Sequence, residues 1–179
     1  MNKQVFISSC RLLILLPVFL ILSFPAFAAQ TCRDSIILTA PTGRYQVHGN
    51  GTVTDLNTGL MWRQCSQGQS GIGCTDGSLT AVTGSIALQE GETLNNSGGF
   101  AGYSDWRLPN RKELESTVEE ACYSPAINLS IFPNTKNDFY WSSTPAGSGF
   151  IWGVAFEDGN SYWPYFNVNL PVRLVRGGQ

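Results

Sequence analysis

The chain has 179 residues, with 11 Lys or Arg, 13 Asp or Glu and a single histidine. Its basic residues form no run, so nucleic acid and anionic membrane surfaces are not expected partners, because both reward clustered positive charge. One histidine also leaves little for an imidazole metal site or a histidine-based catalytic group.

Residues 1–28 read as a cleavable signal peptide. Lys3 and Arg11 give a positive start, Leu12 to Phe24 is an apolar run interrupted by Pro17, and Ala26-Phe27-Ala28 is a small-x-small cleavage pattern. The apolar run is shorter than the ~20 residues that span a bilayer. Cys10 precedes that run, whereas a lipid-anchored cysteine would follow it. The expected mature protein is therefore exported, periplasmic or extracellular, with no transmembrane segment after cleavage. Losing Lys3 and Arg11 leaves nine basic against thirteen acidic residues, a net charge near −4. About 150 residues remain, enough for one domain with a real core. We divide them into an N-terminal segment, 29–44, and a domain, 45–179.

Four cysteines remain after cleavage: Cys32, Cys65, Cys74 and Cys122. An even number in an exported chain reads as two disulfides. Cys65 and Cys74 flank a Gly/Ser/Gln loop that closes easily, which leaves Cys32 with Cys122. No Cys-x-x-Cys pair supports a zinc site.

In chain order, Tyr45–His48 reads as a strand, Gly49–Gly51 as a turn, and Thr52–Thr54 as the answering strand. Asp55–Gly59 is a second turn, and Leu60–Trp62 begins another strand. Asp55-x-Asn57 lacks the glycine position and closing acid of an EF-hand loop. Residues 66–84 form a polar loop. Ser85–Asn95 is expected to be helical, weakened by Gly91. A clearer helix follows Pro109, with Asn110 and Glu113 placed as a capping box. Leu114, Val118 and Ala121 share a face, so this helix is expected to run to about Cys122. Strands are then expected at Phe139–Ser143, Phe150–Phe156, Ser161–Phe166 and Val172–Arg176. Glu157–Asn160 forms the hairpin turn between the middle two.

Several blocks occur in a telling order: Thr58-Gly-Leu-Met-Trp62, Gly102-Tyr-Ser-Asp-Trp-Arg-Leu-Pro-Asn110, Lys112-Glu-Leu114, Ser124-Pro-Ala-Ile-Asn128, Tyr140-Trp-Ser-Ser143 and Val172-Arg-Leu-Val-Arg176. Across about residues 45–177 the chain resembles the DUF1566 family, also called the Lcl C-terminal domain family after a Legionella collagen-like adhesin. The resemblance implies an α+β fold of the C-type lectin-like kind, loop-rich, with two helices and short antiparallel strands, related to formylglycine-generating enzymes. The adhesin's collagen-like repeat has no counterpart here. The Tyr103–Pro109 block is read as scaffold, as are Trp62 and Trp141: Trp106 buries apolar area, Asp105 and Arg107 tie a loop, and Pro109 leads into the helix that Asn110 caps.

The expected function is a non-catalytic binding module for carbohydrate or a cell-surface partner. The alternative is a structural or assembly protein of the cell envelope with no small-molecule site. The candidate ligand contacts are Trp163, Tyr165, Glu157, Asp158, Asn160 and Asn167. Aromatic rings stack on apolar sugar faces, while carboxylates and amides bind hydroxyls. Strand alternation would turn Tyr162, Pro164 and Phe166 one way and Trp163 and Tyr165 the other, leaving one set free. No cofactor is expected; calcium through Glu157, Asp158 and Asn160 is the one metal that the residue types suit. Enzymatic chemistry is not expected. No cysteine follows Cys122, no Gly-x-Ser-x-Gly elbow is present, and Glu119 and Glu120 are sequence neighbours that do not face each other.

Overall fold

The computed structural model describes residues 30–177, so the expected leader and its cleavage site lie outside the described residues. The chain opens with β1 (Thr31–Cys32), β2 (Tyr45–Val47), β3 (Thr52–Asp55) and β4 (Met61–Arg63). Next come β5 (Gln69–Ser70), β6 (Asp76–Gly77) and β7 (Ala81–Val82), followed by helices α1 (Gly84–Asn96) and α2 (Arg111–Glu115). The last part holds β8 (Cys122–Tyr123), β9 (Phe139–Gly147), β10 (Phe150–Ala155), β11 (Ser161–Tyr162), β12 (Leu170–Pro171) and β13 (Val175–Arg176). The described strands pair antiparallel in five small sheets, the largest being β13-β4-β3-β2 and β11-β10-β9. This is an α+β fold with long connections.

Side chains alternate across a strand, and here the alternation feeds two apolar cores. Trp62, Tyr140 and Val175 enter the larger core with Val53, Leu114, Ile127, Phe132 and Phe156. Their chain neighbours Met61, Trp141 and Leu174 point into or against the smaller one, with Ala87, Trp106, Leu108 and Val172. The paired apolar residues of the sequence blocks thus serve both cores. Trp62, Trp106 and Trp141 are all buried, as a scaffold role requires. The Trp106 indole N–H donates to the Phe100 carbonyl, and that of Trp141 to the Val82 carbonyl.

Both disulfides form in the expected pairing, Cys32–Cys122 and Cys65–Cys74. Cys32 and Cys122 are direct cross-strand partners, so the bridge locks the N-terminal segment to β8. The capping box at α2 is also present: Asn110 Oδ1 accepts from the Glu113 N–H, and Glu113 Oε2 accepts from the Asn110 N–H.

Four expectations need correction. First, α2 stops at Glu115 instead of running to Cys122. Beyond it, Val118 pairs with Ile127. The Glu119 carboxylate accepts from the N–H groups of Thr39, Ala40 and Ala121. These tertiary bonds pull the chain out of the helix while Leu114, Val118 and Ala121 stay buried. Second, Asp105 and Arg107 do not tie to each other. Asp105 takes Arg176 at 2.6 Å, and Arg107 takes Glu113 at 2.7 Å. Third, the return strand after the hairpin turn is only Ser161–Tyr162. Fourth, of the expected last strand Val172–Arg176 only Val175–Arg176 forms as β13; before it Arg173 is fully buried and donates to the carbonyls of Arg63 and Gln64 and the hydroxyls of Ser66 and Thr135.

Candidate functional site

The hairpin joining β10 and β11 is closed by its own turn chemistry. The Gly159 N–H donates to the Ala155 carbonyl, and the Ala155 N–H to the Asn160 carbonyl. Gly159 has φ +82°, and a Cβ there would lie 2.8 Å from Val118 Cγ1, so only glycine fits. Asp158 accepts the Asn160 N–H on one carboxylate oxygen and the Tyr162 hydroxyl on the other. Partial burial works against its charge, but the hydrogen bonds from Asn160 and Tyr162 outweigh it and hold the carboxyl below its ordinary range. The bond to Asp158 raises the Tyr162 phenol in turn.

After Tyr162 the chain leaves strand geometry. Pro164 has no N–H to give the ladder; its carbonyl accepts from the Ile151 N–H at 3.3 Å, and Phe166 donates to the Gly149 carbonyl. Alternation therefore fails here. Trp163 and Tyr165 are 56 % and 60 % exposed, yet Tyr162 and Phe166 are exposed too. The expectation that one set would turn into the core is overturned, because side-chain alternation holds only while the ladder does.

The exposed rings pack instead against rings of the neighbouring strands. Three pairs follow the ribbon: Phe139 with Tyr162 at 5.4 Å, Trp152 with Trp163 at 5.0 Å, and Phe150 with Tyr165 at 4.2 Å between centroids. The last is tilted by only 33°, the flattest of the three. Arg111 lies 4.4 Å over the Trp152 ring. Together with Asn110, Lys112 and Thr144 they line a shallow hollow of about 340 Å³ beside the ribbon. The Arg111 N–H is fixed by Thr144 Oγ1, and its guanidinium by Glu115.

The six residues singled out in the sequence are all exposed. Trp163 and Tyr165 belong to the aromatic ribbon. Glu157 and Asp158 line a different hollow, of about 690 Å³, with Arg33, Ile36 and the Glu120–Ser124 segment. Asn160 stands in the turn, and Asn167 lies beyond the ribbon in an exposed connection. Both Asp158 carboxylate oxygens are engaged within the turn. Among the described residues no group of three or more His, Cys, Asp or Glu is placed to hold a metal ion.

Sequence reasoning missed Phe150, Trp152, Arg111 and Thr144. For none of them did a signal exist. Alternation would put Phe150 and Trp152 on the side of Val154 and Phe156, which enter the larger core, but the pairing with β9 shifts register on both sides of Ile151. Arg111 and Thr144 meet only in the folded chain, through α2 and β9.

No curated protein matches the sequence. The profile of the Lcl C-terminal domain matches residues 51–176, from the turn before β3 to the last strand. That match takes in both helices, the aromatic ribbon, the smaller core and the larger core apart from Ala40 and Tyr45, and the chain belongs to the Lcl C-terminal domain family.

Proposed function

We propose that the protein is an exported, non-catalytic binding module that recognises carbohydrate through the aromatic ribbon of its C-terminal hairpin. The observation that carries this reading is the exposure of Trp163 and Tyr165, each propped edge-on or near-flat by a second ring. Rings held this way lose little freedom on binding and offer apolar faces to the C–H side of a sugar. Arg111, Lys112, Asn110 and Thr144 supply hydrogen-bonding groups beside Trp152. Two disulfides support an oxidising compartment, periplasmic or extracellular. Among the described residues no helix is long and apolar enough to cross a membrane. The small antiparallel sheets and two helices fit a C-type lectin-like architecture.

Exposed aromatic patches also mark protein interfaces, which favours the second reading, an assembly protein of the cell envelope. A glycan array probed with the parent, Trp163→Ala and Tyr165→Ala separates the two. Carbohydrate recognition requires a glycan signal that both variants lose while their melting temperatures fall by no more than about 4 °C. A blank array, together with an envelope protein captured by the parent and released by the same variants, establishes the assembly role instead.

A further inference from the structure

The turn between β2 and β3 runs His48-Gly-Asn-Gly-Thr52 and holds the one Asn-Gly pair of the chain. Its shape demands glycine after the asparagine. Gly51 has φ +83°, and a Cβ there would lie 2.9 Å from Phe100 Cζ. Asn50 is exposed and Gly51 is half-buried. Pairing resumes at once: the His48 N–H donates to the Thr52 carbonyl, and the Gln64 N–H to that of Gly51.

The Asn50 side chain curls forward along the chain. Its Oδ1 accepts the Thr52 N–H at 3.2 Å and the Thr52 hydroxyl at 2.6 Å, so it passes over the Gly51 peptide that lies between. Among the described residues the Gly51 N–H donates to no acceptor, and neither does Asn50 Nδ2. Nothing has to break before that nitrogen can attack or that amide can leave. Other asparagines differ on both counts. Asn95, Asn128 and Asn134 each tie Nδ2 to a backbone carbonyl, and each precedes a residue whose Cβ crowds the attack. At the Asp158-Gly159 pair the Gly159 N–H is held by the Ala155 carbonyl and both carboxylate oxygens are engaged in the turn.

We propose that Asn50 is a site of spontaneous modification, at which the chain converts the asparagine to aspartate and isoaspartate through a succinimide formed with Gly51. The Gly51 nitrogen attacks Asn50 Cγ, and a C–N bond forms. The carbonyl electron pair moves onto Oδ1, where the two Thr52 donors stabilise the developing charge. Collapse breaks the Cγ–Nδ2 bond, and Nδ2 departs as ammonia with the proton that the Gly51 nitrogen gives up. Water then opens the five-membered ring. Addition at Cγ gives aspartate. Addition at the Asn50 backbone carbonyl gives isoaspartate, in which the main chain runs through Cβ and Cγ. Water is the co-reactant, and nothing is oxidised or reduced. Either product places a carboxylate on the rim of a concavity of about 720 Å³, whose lining includes Arg63, Ile72 and Phe100 and no acidic side chain. Isoaspartate also lengthens the backbone of the turn that joins β2 to β3.

The test is incubation of the folded, oxidised protein in mildly alkaline buffer beside a synthetic peptide of residues 46–54. Peptide mapping then locates lost amides, and an isoaspartyl methyltransferase labels isoaspartate. Position 50 should convert in the folded protein as it does in the peptide, giving both acids and ammonia before any other asparagine loses its amide. Glutamine would have to close a six-membered ring, which is much slower, and Asn50→Gln alters only an exposed turn side chain; this variant should lose the isoaspartate signal. An Asn50 amide that survives after the peptide has converted, aspartate without isoaspartate, earlier conversion at another asparagine, or an undiminished signal in Asn50→Gln overturns the proposal.

Discussion

Truncating Trp106 to alanine tests the division between scaffold and site. The indole is 1 % exposed, packs edge-on against Phe100 at 5.9 Å, and sits in the smaller core with Leu108, Trp141 and Leu174. Deleting a buried Trp typically costs about 3–5 kcal/mol through lost transfer energy and the cavity left behind. The Phe100 carbonyl also loses its indole donor, worth roughly 1 kcal/mol. At ~2–4 °C per kcal/mol for a domain of this size, the packing loss alone lowers the melting temperature by roughly 6–20 °C. The assay is thermal unfolding of the oxidised protein by circular dichroism. Trp163→Ala is the internal control. Its ring is more than half exposed and touches Trp152, so its removal should cost no more than about 1 kcal/mol. An unshifted melt for Trp106→Ala, or a larger loss for Trp163→Ala, would refute the assignment of the Tyr103–Pro109 block to the scaffold.

Other changes act on the same framework. Gly91→Ala would place a Cβ 2.5 Å from the Trp106 carbonyl oxygen and 2.7 Å from Arg107 Cα. Both are backbone atoms, so crowding of about 1–3 kcal/mol should exceed the gain of ~1 kcal/mol in helix propensity, and the denaturation midpoint should fall. Replacing Cys65 and Cys74 by serine opens a short loop and should cost about 2–3 kcal/mol, read by urea unfolding; peptide mapping without reductant should recover Cys65–Cys74 and Cys32–Cys122 and no mixed pair. Acid should destabilise the fold. Burial disfavours the charges of Asp55 and Glu113, but hydrogen bonds from Arg44 and Arg107 prevail and hold both carboxyls below their ordinary values of 3.8 and 4.5. The unfolded chain therefore binds more protons as pH drops through that range, so the stability present above it is progressively lost. A urea midpoint that stays constant down through those values would contradict this.

Local chemistry was legible in the residues alone. The capping box at Asn110 and Glu113, the Glu157–Asn160 turn, α1 within a residue at each end and the Cys65–Cys74 loop all depend on neighbours a few positions apart. The ordered blocks from Thr58 to Arg176 carried the family for the same reason: they are short, specific strings. Tertiary contact decided the rest. The end of α2 depends on Glu119 reaching amides about 80 residues earlier in the chain. Arg176 and Glu113 divide Asp105 and Arg107 between them because β13 returns beside that loop, where Val175 pairs with Arg107. Periodicity could not show that Tyr162, Trp163, Tyr165 and Phe166 are all exposed, since the ladder that enforces alternation stops at Tyr162 and resumes only as the isolated pair of Phe150 with Tyr165. Arg63 likewise reads as one more strand cation, and only the closing of the disulfide loop, Phe100 and Pro133 around it makes a cavity. Such features arise from groups distant in sequence whose approach is set by the packing of the two cores.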